Sequence, residues 1–269
     1  MSAVRRLTTI CTGMHTYDKG LSVRGRGGER IRAPILAYLI ETDHGRILYD
    51  VGCDHAKLAD PQARAAWYDA ASFPFGPPEM AADERLPVQL ARLGLNPRDI
   101  DAVVLGHLHF DHAGGLSDFA HAEVHCHPAE FAAAQANRDG AYFASDWAGH
   151  PRWKLDAAGG ELCPGVRLID SPGHTAGHRS LWIELRAGAP VLIAGDAADL
   201  AENLDDEIAP GLLWDEREDL ALASIRALKG LAADTGAELW PNHDLAHWQR
   251  QCRCGRPVLA SPTRLAEAA

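Results

Sequence analysis

The pattern of apolar and polar positions along the chain predicts buried strands that alternate with amphipathic helices. Short apolar runs bounded by Gly, Pro and Asp are typical of strands, because β-branched side chains suit a pleated, buried surface. Such runs occur at residues 34–41, 46–50, 101–105, 165–170, 180–185, 190–195 and 237–240. Helical spacing and helix-start signals predict helices at residues 84–93, 128–134 and 219–235. The elements fall into two similar halves, which indicates an α/β fold.

Composition narrows the range of partners. The 269 residues are 46% hydrophobic and 23% charged, which is typical of a soluble globular protein. A net charge of −11 without a block of Lys or Arg argues against nucleic acid and against anionic membranes as partners. We see no signal peptide and no apolar run near the ~20 residues that a membrane helix needs.

The number and spacing of the cysteines indicate the cellular compartment. None of the six forms a CxxC pair, and they are spread over the whole chain, so we expect reduced thiols in a cytoplasmic protein. They are Cys11, Cys53, Cys126, Cys163, Cys252 and Cys254. The oligomeric state stays open, with a homodimer among the options.

Seven residues at the ends of predicted strands have side chains of the types that bind metals. They are His107, His109, Asp111, His112, His174, Asp196 and His243. Five imidazoles and two carboxylates suit two adjacent divalent ions of borderline softness, zinc above all. Two such ions can make hydroxide from water at neutral pH and also polarise a carbonyl. The sequence therefore predicts a dinuclear metal site with two Zn²⁺ per chain.

The spacing divides these residues into two groups and a bridge. Alternate residues on a loop that leaves a strand point the same way, so the first pair of histidines can hold one ion. The group for the first ion is His107, His109 and His174. The group for the second ion is Asp111, His112 and His243. Asp196 would bridge both ions, because a carboxylate can give one oxygen to each.

The segment His107-x-His109-x-Asp111-His112, followed by two glycines, resembles the signature of the metallo-β-lactamase superfamily. His174, Asp196 and His243 match the remaining ligands of that family in order. The resemblance implies an αββα sandwich, in which two mixed β-sheets lie face to face between outer helices. It covers nearly the whole chain, so we expect one domain over residues 1–269 with a dinuclear site at one edge.

A narrower resemblance is to the N-acyl-homoserine lactonases. Residues 107–115, 172–180 and 32–42 are similar to segments of that family. The likeness implies that a hydroxide bridging the metals opens a small-molecule lactone, with Asp111 or Asp196 moving the proton to the leaving alkoxide. True β-lactamases of this fold usually carry Cys where Asp196 stands, so antibiotic hydrolysis is not expected. Hydrolysis of another lactone, a thioester or an organophosphate ester is the alternative, and a non-catalytic metal-binding protein is the second rival.

Asp199 is the one departure from the lactonase pattern. The lactonases typically place a Tyr three residues after the bridging Asp, where its hydroxyl reaches the substrate carbonyl. An ionised carboxylate cannot donate a hydrogen bond, so Asp199 is either held protonated at the site or turned away from it. Because nearby cations favour the ionised form, we expect Asp199 to turn away.

Several neighbouring residues have a second interpretation. We expect His178 to hydrogen-bond near the ligands rather than to bind metal, and Asp50 either to orient a ligand histidine or to cap a turn. His125 and His127 flank a cysteine, and solvent exposure or helix capping is the favoured interpretation of both.

The aromatic residues of two loops remain ambiguous. Residues 137–156 carry four aromatic side chains without clear periodicity, which indicates a lid over a cleft. Trp147, Phe143 and the aromatics between Trp67 and Phe75 form either an acyl pocket or a packed satellite core.

Overall fold

The computed structural model describes residues 2–136 and 140–268 and contains two β-sheets with helices around them. The strands are β1 Val4–Asp18, β2 Arg30–Thr42, β3 Gly45–Tyr49, β4 Ala102–Val104, β5 Glu123–Cys126, β6 Trp153–Leu155, β7 Gly160–Cys163, β8 Val166–Asp170, β9 Arg179–Ile183, β10 Val191–Ile193, β11 Glu238–Trp240 and β12 Val258–Leu259. The first sheet has the order β12-β1-β2-β3-β4-β5-β6, and the second has the order β11-β10-β9-β8-β7.

Both sheets mix parallel and antiparallel pairs. In the first sheet β1, β2 and β3 pair antiparallel, whereas β3, β4, β5 and β6 pair parallel. In the second sheet β10 pairs parallel with β11, and the other pairs are antiparallel. Parallel neighbours require crossover connections, which bring helices onto the sheet faces.

The long strand β2 shows how the layers are built. Side chains alternate between the two faces of a strand, so neighbouring residues serve different cores. Ile40 packs between the sheets in one cluster with Ile193 of β10. Leu39 points to the opposite face and shares a cluster with Leu90 of a covering helix. Apolar side chains on both faces of β2 therefore produce the helix–sheet–sheet–helix arrangement that the resemblance implied, with two mixed sheets.

The helices cover the outer faces. They are α1 His55–Ala59, α2 Pro61–Trp67, α3 Leu86–Ala91, α4 Phe110–Ala113, α5 Pro128–Ala136, α6 Ala144–Trp147, α7 Ala201–Asp205, α8 Glu218–Thr235, α9 Leu245–Arg253 and α10 Pro262–Ala268. Short 3₁₀ segments are Lys19–Leu21, Ala82–Glu84, Pro97–Asp99, Gly114–Phe119, Gly195–Ala197 and Trp214–Glu216. No helix in the described ranges is both long and apolar enough to cross a bilayer.

Helix α8 follows from its sequence pattern. Ala221, Ile225, Leu228 and Ala232 recur at helical spacing and are all buried. Full burial of Ile225 or Leu228 contributes roughly 1.5–3 kcal/mol relative to exposure. The helix ends at Gly236, whose φ of 67° places it in the left-handed region where Gly is favoured.

The predicted elements are present, but their bounds differ from the prediction, and the structure contains further elements. The run at 34–41 belongs to β2, and the predicted helix at 84–93 divides into the 3₁₀ turn Ala82–Glu84 and α3. Strand β1 was not delimited from the sequence, although it is 15 residues long. Its mixture of Thr, Ile, Cys and Gly lacks the strict alternation of a half-exposed strand, because most of its residues are buried on both faces.

The predicted lid at 137–156 is only partly described, because residues 137–139 lie outside the described ranges. Residues 144–155 form α6 and β6, and β6 pairs parallel with β5. Gly140 and Ala141 line the main cavity. A lid role therefore stays a prediction for the start of this segment, whereas its end belongs to the first sheet.

Candidate metal centre

The structure brings all seven predicted ligands together at one edge of the two sheets. The loop with His107 follows β4, His174 follows β8, Asp196 follows β10 and His243 follows β11. Loops at the carboxyl ends of strands are the usual position of active sites in open α/β sheets. Residues far apart in the sequence thereby share one site.

Three histidines form the imidazole half of the site. They are His107, His109 and His174, and each offers a ring nitrogen within 4.8 Å of the others. Nε2 of His174 lies 3.2 Å from Nδ1 of His109, and the rings of His107 and His109 are 4.5 Å apart. All three side chains are buried. Such convergence of imidazole nitrogens is typical of a site for a transition-metal ion.

The acidic half consists of Asp111, His112 and His243. Oδ2 of Asp111 lies 3.7 Å from Nε2 of His112 and 3.8 Å from Nε2 of His243. The short helix α4 sets this geometry, because Asp111 and His112 lie in its single turn directly after His109. The acidic half therefore offers one carboxylate oxygen and two imidazole nitrogens.

Asp196 lies between the halves and contacts both. Its Oδ2 is 3.7 Å from Nε2 of His107 and 3.6 Å from Nε2 of His174 in the imidazole half. Nε2 of His112 approaches the same oxygen to 3.3 Å, and Nε2 of His243 lies 3.2 Å from Oδ1. This is the position that the sequence predicted for a bridging carboxylate.

Unpartnered nitrogens show that these residues fit metal ions. In the described part of the chain, neither ring nitrogen of His107 has a hydrogen-bond partner, and Nε2 of His112 has none either. Buried polar atoms are normally satisfied, so such orphans indicate a missing ligand. Imidazole nitrogens with carboxylate oxygens form the donor set that zinc and similar ions accept.

Hydrogen bonds on the far side of the rings direct nitrogens into the site. Nδ1 of His112 lies 2.8 Å from Oδ2 of Asp50, and Nδ1 of His243 lies 2.9 Å from the carbonyl oxygen of Pro34. An Nδ1–H that donates to these acceptors leaves Nε2 free to bind a metal. Asp50 also accepts the N–H of Gly106 at 2.9 Å, so it orients a histidine and fastens the loop as well.

His178 supports the site by hydrogen bonding, as predicted. Its Nε2 accepts the backbone N–H of Asp196 at 2.9 Å, so its proton is on Nδ1, which lies 2.9 Å from Oγ of Ser171. Burial lowers the pKa of His178 to about 3, and the ring is neutral. Gly195 allows this approach, because a Cβ there would lie 2.6 Å from Nε2 of His178.

The two halves differ in how readily their histidines hold a proton. Burial, together with the neighbouring rings of His112 and His109, lowers the pKa of His107 well below its ordinary value. Burial alone would also lower the pKa of His112, but three carboxylates, first Asp196, outweigh it and raise that pKa well above the ordinary value. Asp196 likewise overcomes burial at His243 and raises its pKa to about 10.

A profile for the Metallo-beta-lactamase superfamily matches residues 30–243, a span that includes all seven ligand candidates. The chain belongs to the metallo-beta-lactamase superfamily. An N-acyl homoserine lactonase from a Bacillus species is 32% identical over 226 residues, covering 84% of this chain and 87% of the relative. N-acyl homoserine lactonase AiiB from Agrobacterium fabrum is 36% identical over 187 residues, covering 64% of this chain and 66% of AiiB.

Solved structures of N-acyl homoserine lactone hydrolases match the fold. One is an N-acyl homoserine lactone hydrolase with the product N-hexanoyl-L-homoserine at its catalytic metal centre. It matches with a TM-score of 0.83 and 29% identity, covering 93% of this chain and 97% of that one. A mutant of Bacillus thuringiensis AiiA with N-decanoyl-L-homoserine bound at the active site matches with the same TM-score, identity and coverage.

In this member of the superfamily a cavity of about 370 Å³ opens over the ligand cluster, which is formed by the seven candidate metal ligands. Its floor includes His109, Asp111, His174, Asp196 and His243. Its apolar walls come from the loop after α2 and from two other segments; they include Phe73, Pro74, Phe75, Leu21 and Leu212. Because Leu21 and Phe75 are each more than 40% exposed, the rim is open to solvent.

The aromatic residues of the two loops divide between the two interpretations. Phe73 and Phe75 line the cavity, as one interpretation had it. Trp147 is buried against Phe131 with their rings 5.3 Å apart, and Phe143 stacks on Phe110 at 5.2 Å, so both belong to packed clusters.

Asp199 does not turn away from the site, which corrects the expectation from the sequence. It lines the cavity, is 5% exposed, and offers an oxygen within 4.8 Å of ligand atoms of Asp196 and His243. Burial and the neighbouring Asp196 raise the pKa of Asp199 to about 8. The expectation considered cations nearby, whereas burial beside a second carboxylate favours the protonated form.

The flanking histidines divide between the two interpretations. His127 caps α5, since its Nδ1 accepts the N–H of Ala129 at 3.0 Å. The predicted solvent exposure is wrong for His125, which is buried with Nε2 3.0 Å from Oε1 of Glu123. The burial pattern of β5 places His125 on a covered face.

Sequence reasoning missed three residues that shape the site. His15 and Tyr17 of β1 line the cavity, and burial lowers the pKa of His15 to about 4. Glu130 of α5 is fully buried, and its carboxylate accepts N–H groups of Leu108 and Gly177, each at 3.1 Å. A Glu in the first turn of a helix was the available signal, although such an acid is also explained by the helix dipole.

Proposed function

We propose that this chain is a metal-dependent hydrolase that opens the lactone ring of N-acyl-homoserine lactones with two bound zinc ions. The observation that carries the proposal is Asp196, which contacts both halves of a complete ligand set beneath an apolar cavity. The similarity to named N-acyl homoserine lactonases over most of the chain supports this substrate class.

The residues of the site would divide the work between them. The two ions, when bound, would activate water at neutral pH and stabilise negative charge on oxygen. Asp196 would hold both ion sites in register, and its pKa, which the surrounding histidines lower against the effect of burial, keeps it ionised.

Asp111 is the better candidate for moving the proton. Its side chain is 15% exposed against 7% for Asp196, and it lines the cavity, so a substrate can reach it. As the water oxygen bonds to the lactone carbonyl carbon, its proton passes to the carboxylate of Asp111. The ring C–O bond then breaks, and the proton passes to the leaving alkoxide to give the hydroxyl of the ring-opened product.

The apolar walls of the cavity would hold the acyl chain. Phe73, Phe75, Leu21 and Leu212 all line the cavity. Each methylene buried between them is worth up to ~0.8 kcal/mol, or roughly fourfold in affinity. Phe75→Ala should therefore reduce kcat/KM more for C10 than for C4 substrates. Equal losses for both lengths would show that the chain does not contact Phe75.

Ring opening itself is the first test. Purified protein reconstituted with zinc is incubated with N-hexanoyl-homoserine lactone, and the ring-opened acid is quantified by mass spectrometry. We expect turnover that disappears after chelation and returns with zinc. A panel with a γ-lactone without an amide, a thioester and a phosphotriester addresses the rival activities. Turnover of the thioester or the phosphotriester alone would exclude the lactonase proposal.

Three finer points belong to the same proposal. Zinc fits the nitrogen-rich ligand set, and elemental analysis of protein purified without chelator should find about two ions per chain. The six cysteines are unpaired, in keeping with work in the reducing cytoplasm, which cell fractionation can test. A homodimer is open to analytical ultracentrifugation.

A further inference from the structure

Three polar side chains form a row in the cavity wall beside the acidic half. The hydroxyl of Tyr17 lies 2.8 Å from Oγ of Ser22, and Ser22 is within hydrogen-bonding reach of the Asp199 carboxyl. Tyr17 and Asp199 line the cavity, whereas Ser22 is fully buried behind them. The row therefore presents a phenol and a carboxyl to whatever occupies the cavity.

Main-chain contacts hold the row in place. The carbonyl of Ser22 accepts a hydrogen bond from Nδ2 of the fully buried Asn203 at 3.0 Å. The carbonyl of Asp199 accepts the N–H of His243 at 2.8 Å. Asp199 is thus fixed to His243 of the ligand cluster. A group bound by Asp199 is therefore held at a set distance from the site of reaction.

The row has hydrogen-bonding capacity that the protein does not use. Oδ1 of Asp199 is buried and has no partner within residues 2–136 and 140–268. A buried acceptor without a donor is costly, so a donor from a ligand is expected there. Ser22 has one proton, and when it donates this proton to Tyr17 the phenol O–H is released toward the cavity.

We propose that Asp199 and Tyr17 recognise the amide group of the substrate, with Asp199 accepting the amide N–H and Tyr17 donating to the amide carbonyl. The inference rests on the proposed lactonase function, because N-acyl-homoserine lactones carry a secondary amide beside the ring. It makes Asp199 the residue that distinguishes acylamino lactones from lactones without an N–H. A site built to bind a donor discriminates against the analogue that lacks it.

The test uses a pair of lactones that differ in one group. One is N-hexanoyl-homoserine lactone, and the other is its carba analogue, in which CH₂ replaces the amide N–H and the carbonyl stays. Ring opening is measured with zinc-loaded full-length protein. We expect the wild type to prefer the amide by about 10- to 100-fold in kcat/KM, because the carba analogue leaves the buried Oδ1 of Asp199 without a donor. A wild-type preference below twofold overturns the proposal.

The variants assign the preference to its residues. Asp199→Ala should slow the amide substrate by the same factor, leave the carba analogue unchanged and bring the ratio near one. Asp199→Leu, which has a similar size but no acceptor, is the second variant if the first unfolds, and it should also bring the ratio near one. Tyr17→Phe should slow both substrates equally, by roughly three- to tenfold, because both keep the carbonyl. Tyr68→Phe, a change at a tyrosine outside the cavity lining, should leave the ratio unchanged.

Metal analysis separates this role from metal binding by Asp199. Each Asp199 variant should keep about two ions per chain. Loss of one ion would identify Asp199 as a metal ligand, which its closeness to Asp196 and His243 would also fit, and would overturn the amide role. If both lactones are opened equally well by every protein, the lactonase function stands and the inference fails. If the wild type opens neither, the proposed function fails and the inference fails with it.

Discussion

The imidazole half and the acidic half of the ligand cluster both contain histidines, but in two different electrostatic settings. His107 lies among other rings, and burial lowers its pKa, so it is neutral before any metal arrives. His112 and His243 lie beside carboxylates, first Asp196 and then others such as Asp111, which raise their pKa values, and they hold protons in the absence of metal. The neighbours of a histidine, rather than the histidine itself, decide whether it must lose a proton to bind metal.

The halves also differ in which buried carboxylate supports their ligands. The acidic half is oriented at the rings, through Nδ1 of His112 on Asp50 and Nδ1 of His243 on a backbone carbonyl. In the imidazole half Glu130 acts on the loops, through the N–H groups of Leu108 and Gly177. A change in Asp50 should therefore affect one ion, and a change in Glu130 should affect the other.

The largest effect is expected where the halves meet. Asp196→Ala removes the carboxylate that contacts both, so the protein should bind fewer than two ions and lose turnover by about three orders of magnitude, or ~4 kcal/mol. Elemental analysis and lactone kinetics measure the two losses. Asp206→Ala, a change at an exposed position at the end of α7, is the control. A variant that keeps two ions and a tenth of the activity would show that the halves do not depend on Asp196.

The second largest effect is expected in the pH dependence of metal affinity, which should differ between the two halves. At pH 7–8 the raised pKa values keep His112 and His243 protonated, with that of His243 about 10, so an ion entering the acidic half must displace protons. Its affinity should rise with pH, by roughly tenfold per unit for each proton released. The imidazole half, where the pKa of His107 is lowered, should bind its ion with little change over the same range.

Calorimetry in buffers with different ionisation enthalpies counts these protons. We expect at least one proton for one of the two ions at pH 8 and close to none for the other. Equal proton release for both ions would mean that the electrostatic contrast between the halves is absent in solution.

The ligands were predictable from the sequence for a physical reason. His and Asp are chemically distinctive, they lie directly after predicted strands, and strand ends meet at one edge of a sheet. The walls of the cavity were not predictable in the same way. Tyr17 reaches the site only because the register of β1 against β2 places that face of the strand over the cluster, and register is not visible in one sequence.

The interpretation left open for Trp147 and the wrong expectation for Asp199 have the same origin. Whether Trp147 faces the cavity depends on how a four-residue helix packs, and it packs inward against Phe131. Whether Asp199 turns away depends on burial, which the sequence does not show, whereas the structure places it 5% exposed in the cavity wall. Asp50 was predictable as an orienting residue because it ends the strand beside the ligand loop.

A substitution at Asp50 should weaken the acidic half alone. Asp50→Asn keeps the shape of the side chain but removes the charge beside Nδ1 of His112, and loss of such a partner typically costs 10- to 100-fold in metal affinity. Competition with a chromophoric chelator should show one of two affinities reduced by that factor and the other unchanged. Equal weakening of both ions would mean that Asp50 acts on the whole fold instead.

The smallest effect is expected for a substitution of Glu130, which tests the imidazole half as the change at Asp50 tests the acidic half. Its partners among the described residues are donors: the N–H groups of Leu108 and Gly177, and the hydroxyl of Tyr142 at 3.1 Å. Glu130→Gln turns an N–H₂ toward one of them, so one hydrogen bond is lost while the volume is kept. The affinity of the ion in the imidazole half should fall about tenfold, because the loops carrying His107, His109 and His174 loosen together.

The matched control is Tyr142→Phe, which removes the hydroxyl partner but keeps both backbone bonds of Glu130. It should change that affinity by less than about threefold, since a neutral hydrogen bond contributes near 1 kcal/mol or less. The melting temperature of the metal-free protein distinguishes weaker metal binding from general destabilisation. If Glu130→Gln weakens the pH-dependent ion rather than the pH-independent one, the assignment of Glu130 to the imidazole half is wrong.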